Sequence, residues 1–309
     1  MRNHILSRLR QLLMDRALEA GGWPYSMGSH QCATEPTALA ILAGSSSHDV
    51  LAQTQNADGG WAPIHPGVGA ELPSGWATSV AVIALLRTCP SDPALQRALQ
   101  WLCGSRGVES HWLWRWKFKL ADTQVSFNPD KFGWSWAPGT ASWVIPTAFA
   151  LIALRLGLQH GQIQPGMESR LRIGTEMLID RACPGGGWNA GNSRVFGVAL
   201  APHIDATAIA LLALQGCEKQ HELLISQSLG QLLARTRDCP GASSLAWSLL
   251  ALHAWHRFRP IHEELAARAA QLEPLMQSPE RVADNSTLAV SALALDAVAN
   301  NRNLFEVRS

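Results

Sequence analysis

Four stretches decide how this chain folds: TALAILAG at Thr37 to Gly44, TSVAVIAL at Thr78 to Leu85, TAFALIAL at Thr147 to Leu154 and TAIALLAL at Thr207 to Leu214. Two looser copies follow, LAWSLLAL at Leu245 to Leu252 and LAVSALAL at Leu288 to Leu295. Recurrence at intervals of several tens of residues marks a repeat architecture. Each copy is apolar almost all round, so each predicts a helix buried on both sides rather than a surface helix with one dry face. Between the copies lie amphipathic segments with charged faces, among them PALQRALQWLCG from Pro93, ESRLRIGTEMLIDRA from Glu168, HELLISQSLGQLLARTRD from His221 and HEELAARAAQLEP from His262. These are outer helices. Six alternations of outer and inner helix predict an all-α fold, a closed (α/α)6 toroid of six helical hairpins that takes residues 1–309 as one domain. An open solenoid would leave one face of every inner helix in water. Inner helices are expected to begin near Glu35, Trp76, Ile145, Asp205, Ser243 and Ser286.

The composition agrees with a large buried core. The chain has 309 residues, 47% of them apolar and 16% charged, with a net charge of +1. Its 25 basic and 24 acidic side chains give no global field for nucleic acid, so no nucleic-acid partner is expected. Six cysteines without a C-x-x-C pair suit neither a disulfide scaffold nor a zinc site, and no metal is expected. MRNHILSRLRQLLMDRALEA at the N-terminus breaks its apolar residues every two or three positions, which reads as an amphipathic helix and not a signal peptide. No apolar run approaches the roughly 20 residues of a membrane span. The expectation is a cytoplasmic protein, with peripheral membrane contact left open.

Thirteen tryptophans stand against one tyrosine and seven phenylalanines. Several follow glycines: GGW at Gly21 to Trp23, DGGW at Asp58 to Trp61, FGWSW at Phe132 to Trp136 and GGGW at Gly185 to Trp188. Glycines let the backbone turn and pack closely, and the indole that follows can cap a neighbouring helix end, so most of these tryptophans read as structural clasps. Another aromatic run, WLWRWKFKL at Trp112 to Leu120, alternates with basic residues. With a second alternation at Thr123, Val125 and Phe127, it reads as a β-hairpin inserted at about 110–130. Its expected role is a lid with the Trp face over the ring; stacked rings beside cations also suit a single-stranded nucleic acid, a lipid headgroup or a diphosphate.

Placing the six copies in register shows what the ring presents at one height. At the Asp205 position stand Glu35, Trp76, Ile145, Asp205, Ser243 and Ser286; at the His203 position stand Ala33, Ser74, Trp143, His203, Gly241 and Asp284. The first and fourth copies of a closed ring of six are opposite, so Glu35 and Asp205 face each other across the mouth. An elongated apolar cavity is expected there, with Glu35, Trp76, Trp143 and Asp284 as substrate contacts.

Q-N-A-D-G-G-W at Gln55 to Trp61 resembles the Q-W repeat of the squalene-hopene cyclase and protein prenyltransferase superfamily. EPTALA from Glu35, GWSWAPGTASWVIPTA from Gly133 and the repeated T-A-x-A-x-L-A-L core extend the resemblance over most of the chain. It implies the toroid. It also implies a catalytic acid, because His203 to Ala208 (H-I-D-A-T-A) takes the place of the D-x-D-D-T-A phrase of class II terpene cyclases. Asp205 matches the proton-donating aspartate, His203 replaces the first acid as its helper, and Ala206 replaces the last. An aspartate at that place is equally a helix N-cap. A prenyltransferase-like zinc site lacks its D-x-C phrase. No cofactor is expected, with magnesium only for a diphosphate substrate.

Three functional readings result. One is a terpene cyclase-like isomerase that protonates and cyclises a polyprenyl or other isoprenoid substrate in a Trp-lined pocket, where ring faces stabilise cations. Another is a non-catalytic toroid binding a lipid or a protein partner. The last is a carbohydrate-active α/α enzyme, since opposed carboxylates with Trp platforms also describe inverting glycosidases, whose acids lie roughly 6.5 to 9.5 Å apart.

Overall fold

The apolar phrases become helices because nothing in them breaks the backbone ladder and every face finds a neighbour. A computed structural model describes residues 2–45, 49–65, 72–120, 127–282 and 284–307. In chain order, α1 (Arg2–Asp15) lies outside, α2 (Thr34–Leu42) inside, α3 (Asp49–Thr54) outside, α4 (Gly75–Thr88) inside and α5 (Pro93–Gly104) outside. After α6 (Trp112–Leu120) come α7 (Val144–Gln159) inside, α8 (Met167–Asp180) outside, α9 (Ile204–Ala213) inside and α10 (Glu218–Arg235) outside. The round ends with α11 (Ala242–Trp255) inside, α12 (His262–Leu275) outside and α13 (Asn285–Asn300) inside. Each inner helix starts one residue before its expected position. The six pack in sequence, and α13 returns against α2, which closes the ring. α1 docks on α13, with Arg2 bonded to Glu273 at 2.6 Å and Arg10 to the buried Asp296 at 3.0 Å.

Four of the joins are built from one hydrogen-bonded unit. The indole N–H of Trp23, Trp61, Trp134 and Trp188 donates to the carbonyl of Leu13, Leu51, Leu102 and Leu178 respectively, at 2.6 to 2.9 Å. Every one of those carbonyls lies in the last turn of the preceding outer helix, where the regular backbone ladder ends. The backbone N–H of each Trp donates to the hydroxyl of Thr37, Thr78, Thr147 or Thr207, the fourth residue of the next inner helix. Each Trp carbonyl accepts from the residue just before that helix: Ala33, Ser74, Trp143 or His203. One buried indole thereby ties the end of an outer helix to the start of an inner one. The glycine before it is dictated by space, since a Cβ on Gly133 would lie 2.0 Å from the Thr147 hydroxyl.

The expected β-hairpin at about 110–130 is corrected. Trp112–Leu120 is a helix. Alternation along the sequence concealed partners spaced for a helix: Lys117 stacks over Trp114, Trp114 meets Phe118, and Arg115 and Lys119 both reach Asp130. Such contacts at three and four residues outweigh strand propensity where the described residues offer no partner strand. Thr123 and Val125 lie outside the described residues. Among the described residues the one sheet is a short hairpin elsewhere, β1 (Arg194–Val195) against β2 (Val198–Ala199). No described helix is long and apolar enough to cross a membrane.

Candidate active site

The clasps fix the starts of α2, α4, α7 and α9, and the second residue of each helix then points at the ring axis. Glu35, Trp76, Ile145 and Asp205 line one cavity of 310 Å³, as their shared register predicts. One turn deeper, Phe149, Ile209 and Trp247 form its floor, and Trp136 closes a side. Trp136 stands edge-on to Trp76 at 5.2 Å, and Tyr25 stacks on the other side of Trp76 at 6.5 Å. The mouth is at the N-terminal ends of the inner helices.

The cavity is not elongated, because the bore below it is filled. Phe149 meets Trp247 edge-on at 5.4 Å, and Trp247 meets the fully buried Phe305 at 5.2 Å. Phe305 comes from the segment after α13, which enters the opposite end of the ring. Gln215 donates to the Phe305 carbonyl at 3.0 Å, Arg87 to the carbonyls of Leu304 and Glu306, and Asn303 to that of Leu250. A volume of 310 Å³ is at the small end of the roughly 300 to 1,000 Å³ of ligand sites. The plug removes the length that a polyprenyl chain would occupy.

Glu35 and Asp205 stand at equivalent helix positions in different surroundings. Burial, and then the neighbouring Asp284 carboxylate, push the Glu35 carboxyl up to about 7. The Tyr25 hydroxyl opposes this from close by, yet it falls short of hydrogen-bond geometry and remains a buried donor without a partner. Burial, then Glu35 and last Asp284, push the Tyr25 phenol well up. Asp205 does not cap α9. The cap position belongs to His203, whose side chain makes no cap bond, and Asp205 Oδ1 is buried with no partner. An acceptor left unsatisfied in this way costs roughly 1 to 3 kcal/mol, which a ligand donor or water would recover.

The other expected site residues fall elsewhere. Trp143 and His203 line an adjoining 390 Å³ pocket with Asn189, Asn192 and Leu200, outside the ring axis. Asp284 caps α13: it accepts from the Ser286 and Thr287 N–H groups at 3.1 and 2.8 Å and from the Thr287 hydroxyl. It acts on the cavity through its charge on Glu35. Sequence reading missed Tyr25, Trp136, Phe149 and Trp247. For two of them a signal existed, since Tyr25 and Trp136 each lie two residues beyond a clasp tryptophan. No group of three or more His, Cys, Asp or Glu among the described residues is arranged to hold a metal ion.

No protein-family profile matches the chain, and no curated protein matches it. Solved structures do. A protein from Actinoplanes is similar over 97% of this chain and 100% of its own, with a TM-score of 0.62 and 15% identity. A GH76 α-mannanase from Bacteroides thetaiotaomicron is similar over 97% of this chain and 96% of its own, with a TM-score of 0.60 and 10% identity. At such identities the likeness is one of fold, and it supports the α/α toroid. Neither description names a terpene cyclase or a prenyltransferase.

Proposed function

We propose that this chain is a carbohydrate-active acid/base enzyme, with Glu35 as proton donor and Asp205 as the opposing carboxylate. The observation that carries the reading is that two acids in different electrostatic surroundings line one Trp-walled cavity. A carboxyl group that titrates near 7 is suited to giving its proton to a departing glycosidic oxygen at neutral pH. The same group is a weak acid, poorly matched to protonating an alkene carbon. In the proposed step Glu35 protonates the leaving oxygen as the C–O bond breaks. Asp205 accepts a proton from the water whose oxygen forms the new bond at the anomeric carbon, and exchange with solvent resets both groups. Trp76 and Trp136 offer flat apolar faces for a sugar ring, and burial, aided by the Asp284 charge, raises the pH at which Glu35 gives up its proton. A glycosidase among the solved toroids supports the ring as a frame for such chemistry, while the argument for this chain rests on its own residues.

The test is hydrolysis of a panel of α- and β-linked oligosaccharides by the full chain, with product anomers followed by NMR. Cleavage abolished in both Glu35→Gln and Asp205→Asn, with folding retained, supports the proposal. A wild-type protein that cleaves no glycan but consumes a short isoprenoid in an Asp205-dependent way returns the site to the cyclase reading.

A further inference from the structure

Helix α6 stands out because it has no buried residue although it is rich in large apolar side chains. With 3.6 residues per turn, Trp112, Trp116, Leu120 and Leu113 fall within an arc of roughly 100°. That arc faces solvent: Trp112 is 68% exposed, Trp116 62% and Leu120 63%. Side chains on the other azimuths turn to the protein or to the margins. Phe118 packs on Phe127 at 5.1 Å and Arg115 donates to the Ser110 carbonyl at 2.9 Å, while Lys117 borders one side of the arc and Lys119 the other. The apolar face of an amphipathic helix is thus turned outward. Monomeric soluble proteins rarely keep such a face in water without a use for it.

We propose that α6 is a membrane-interface anchor that lays Trp112, Leu113, Trp116 and Leu120 into the headgroup boundary of an anionic bilayer. Three observations select a bilayer as occupant. Charge is complementary, since the helix carries Arg115, Lys117 and Lys119 and no acid, and Asp130 offsets only part of that charge. The cations border the apolar arc, where their stems can lie along the boundary while their heads stay in water; a closed protein groove would desolvate them. Indole is the ring that prefers this boundary, having an apolar body and one polar N–H. The helix is also firmly rooted. Glu109, in the turn before it, is fully buried and accepts from the Ser142 N–H at 3.1 Å, and Val108 N–H donates to the Thr140 carbonyl at 3.0 Å. The loop so gripped carries Trp136 of the cavity wall.

Co-sedimentation of the full chain with phosphatidylcholine vesicles, with and without about 30% phosphatidylserine, tests this directly. The expected result is binding that needs the anionic lipid, weakens with salt and shifts tryptophan emission to the blue. Trp112→Ala with Trp116→Ala should lower partitioning at least about tenfold, and Lys117→Ala about fivefold. Leu113→Ser with Leu120→Ser provides a second variant on the same arc, should the first fail to fold. No binding at millimolar lipid, or equal binding by variants that keep the native circular dichroism, overturns the proposal. So does a concentration-dependent dimer, or capture of a soluble oligosaccharide, that the Trp variant loses while vesicles remain unbound. The proposal stands apart from the catalytic reading, because none of these variants touches the cavity.

Discussion

Truncating Phe305 tests whether the bore is closed by the segment after α13. Its ring is fully buried against Trp247 at 5.2 Å, and Gln215 holds the segment at two points, donating to the Phe305 carbonyl at 3.0 Å and accepting from the Val307 N–H at 3.1 Å. Phe→Ala in a core costs about 3 to 5 kcal/mol, of which an edge-on aromatic pair accounts for about 0.5 to 1.5. The entropy of unfolding, at about 2.1 cal/mol/K per residue, comes to roughly 0.65 kcal/mol/K for a chain of this length. Phe305→Ala should therefore lower Tm by about 5 to 8 °C. Differential scanning calorimetry of the wild type, Phe305→Ala and Phe305→Leu measures it, with the leucine variant expected to recover more than half of the loss. The space left is apolar and ring-sized, so benzene should raise the Tm of the alanine variant and leave the wild type unchanged. A drop below about 2 °C, or no difference between the two substitutions, would refute the plugged bore and reopen the long-pocket readings.

Three further outcomes are expected. Because burial raises Glu35 from 4.5 to about 7, the folded state holds a proton that the unfolded state releases between those values, so stability falls as pH rises through that window and is flat on either side. The loss is on the order of 3 kcal/mol, or about 5 °C, and Glu35→Gln should abolish this dependence in a Tm-versus-pH series and make the protein more stable at pH 8. Thr207→Val deprives the buried Trp188 N–H of its acceptor and should cost about 1 to 3 kcal/mol by urea unfolding, whereas the equally isosteric Thr140→Val, at an exposed hydroxyl, provides a comparison outside the clasps. Asn replaces Asp284 well as a helix cap, so Asp284→Asn should leave Tm near the wild-type value while shifting the alkaline limb of activity downward, as Glu35 loses its charged neighbour.

The ring was legible in the sequence because its period is carried by residues with one physical option. An inner phrase such as TAFALIAL has no polar face to expose, and each clasp tryptophan follows a glycine that a side chain could not replace. Register alone brought Glu35, Trp76 and Asp205 to one cavity. It failed for Trp143 and Asp284, because a cap residue sits outside the helical angle that its neighbour two positions on obeys. α6 misled for a different reason: aromatic–basic alternation satisfies a strand and a helix equally, and the deciding Asp130 lies ten residues past the helix end. The plug was invisible, since a lone phenylalanine after the last repeat has no pattern to place it. Tyr25 and Trp136 could have been found by asking which residues repeat two positions after each clasp.

The central claim is that Glu35 gives up its proton only near neutral pH, and its titration tests this most directly. Carboxyl 13C chemical shifts in protein labelled at the glutamate side-chain carbons, assigned by comparison with Glu35→Gln, give the midpoint without any substrate. The account predicts a Glu35 midpoint at about 7, and a lower one in Asp284→Asn. A midpoint at the ordinary 4.5, unmoved by that substitution, would contradict it.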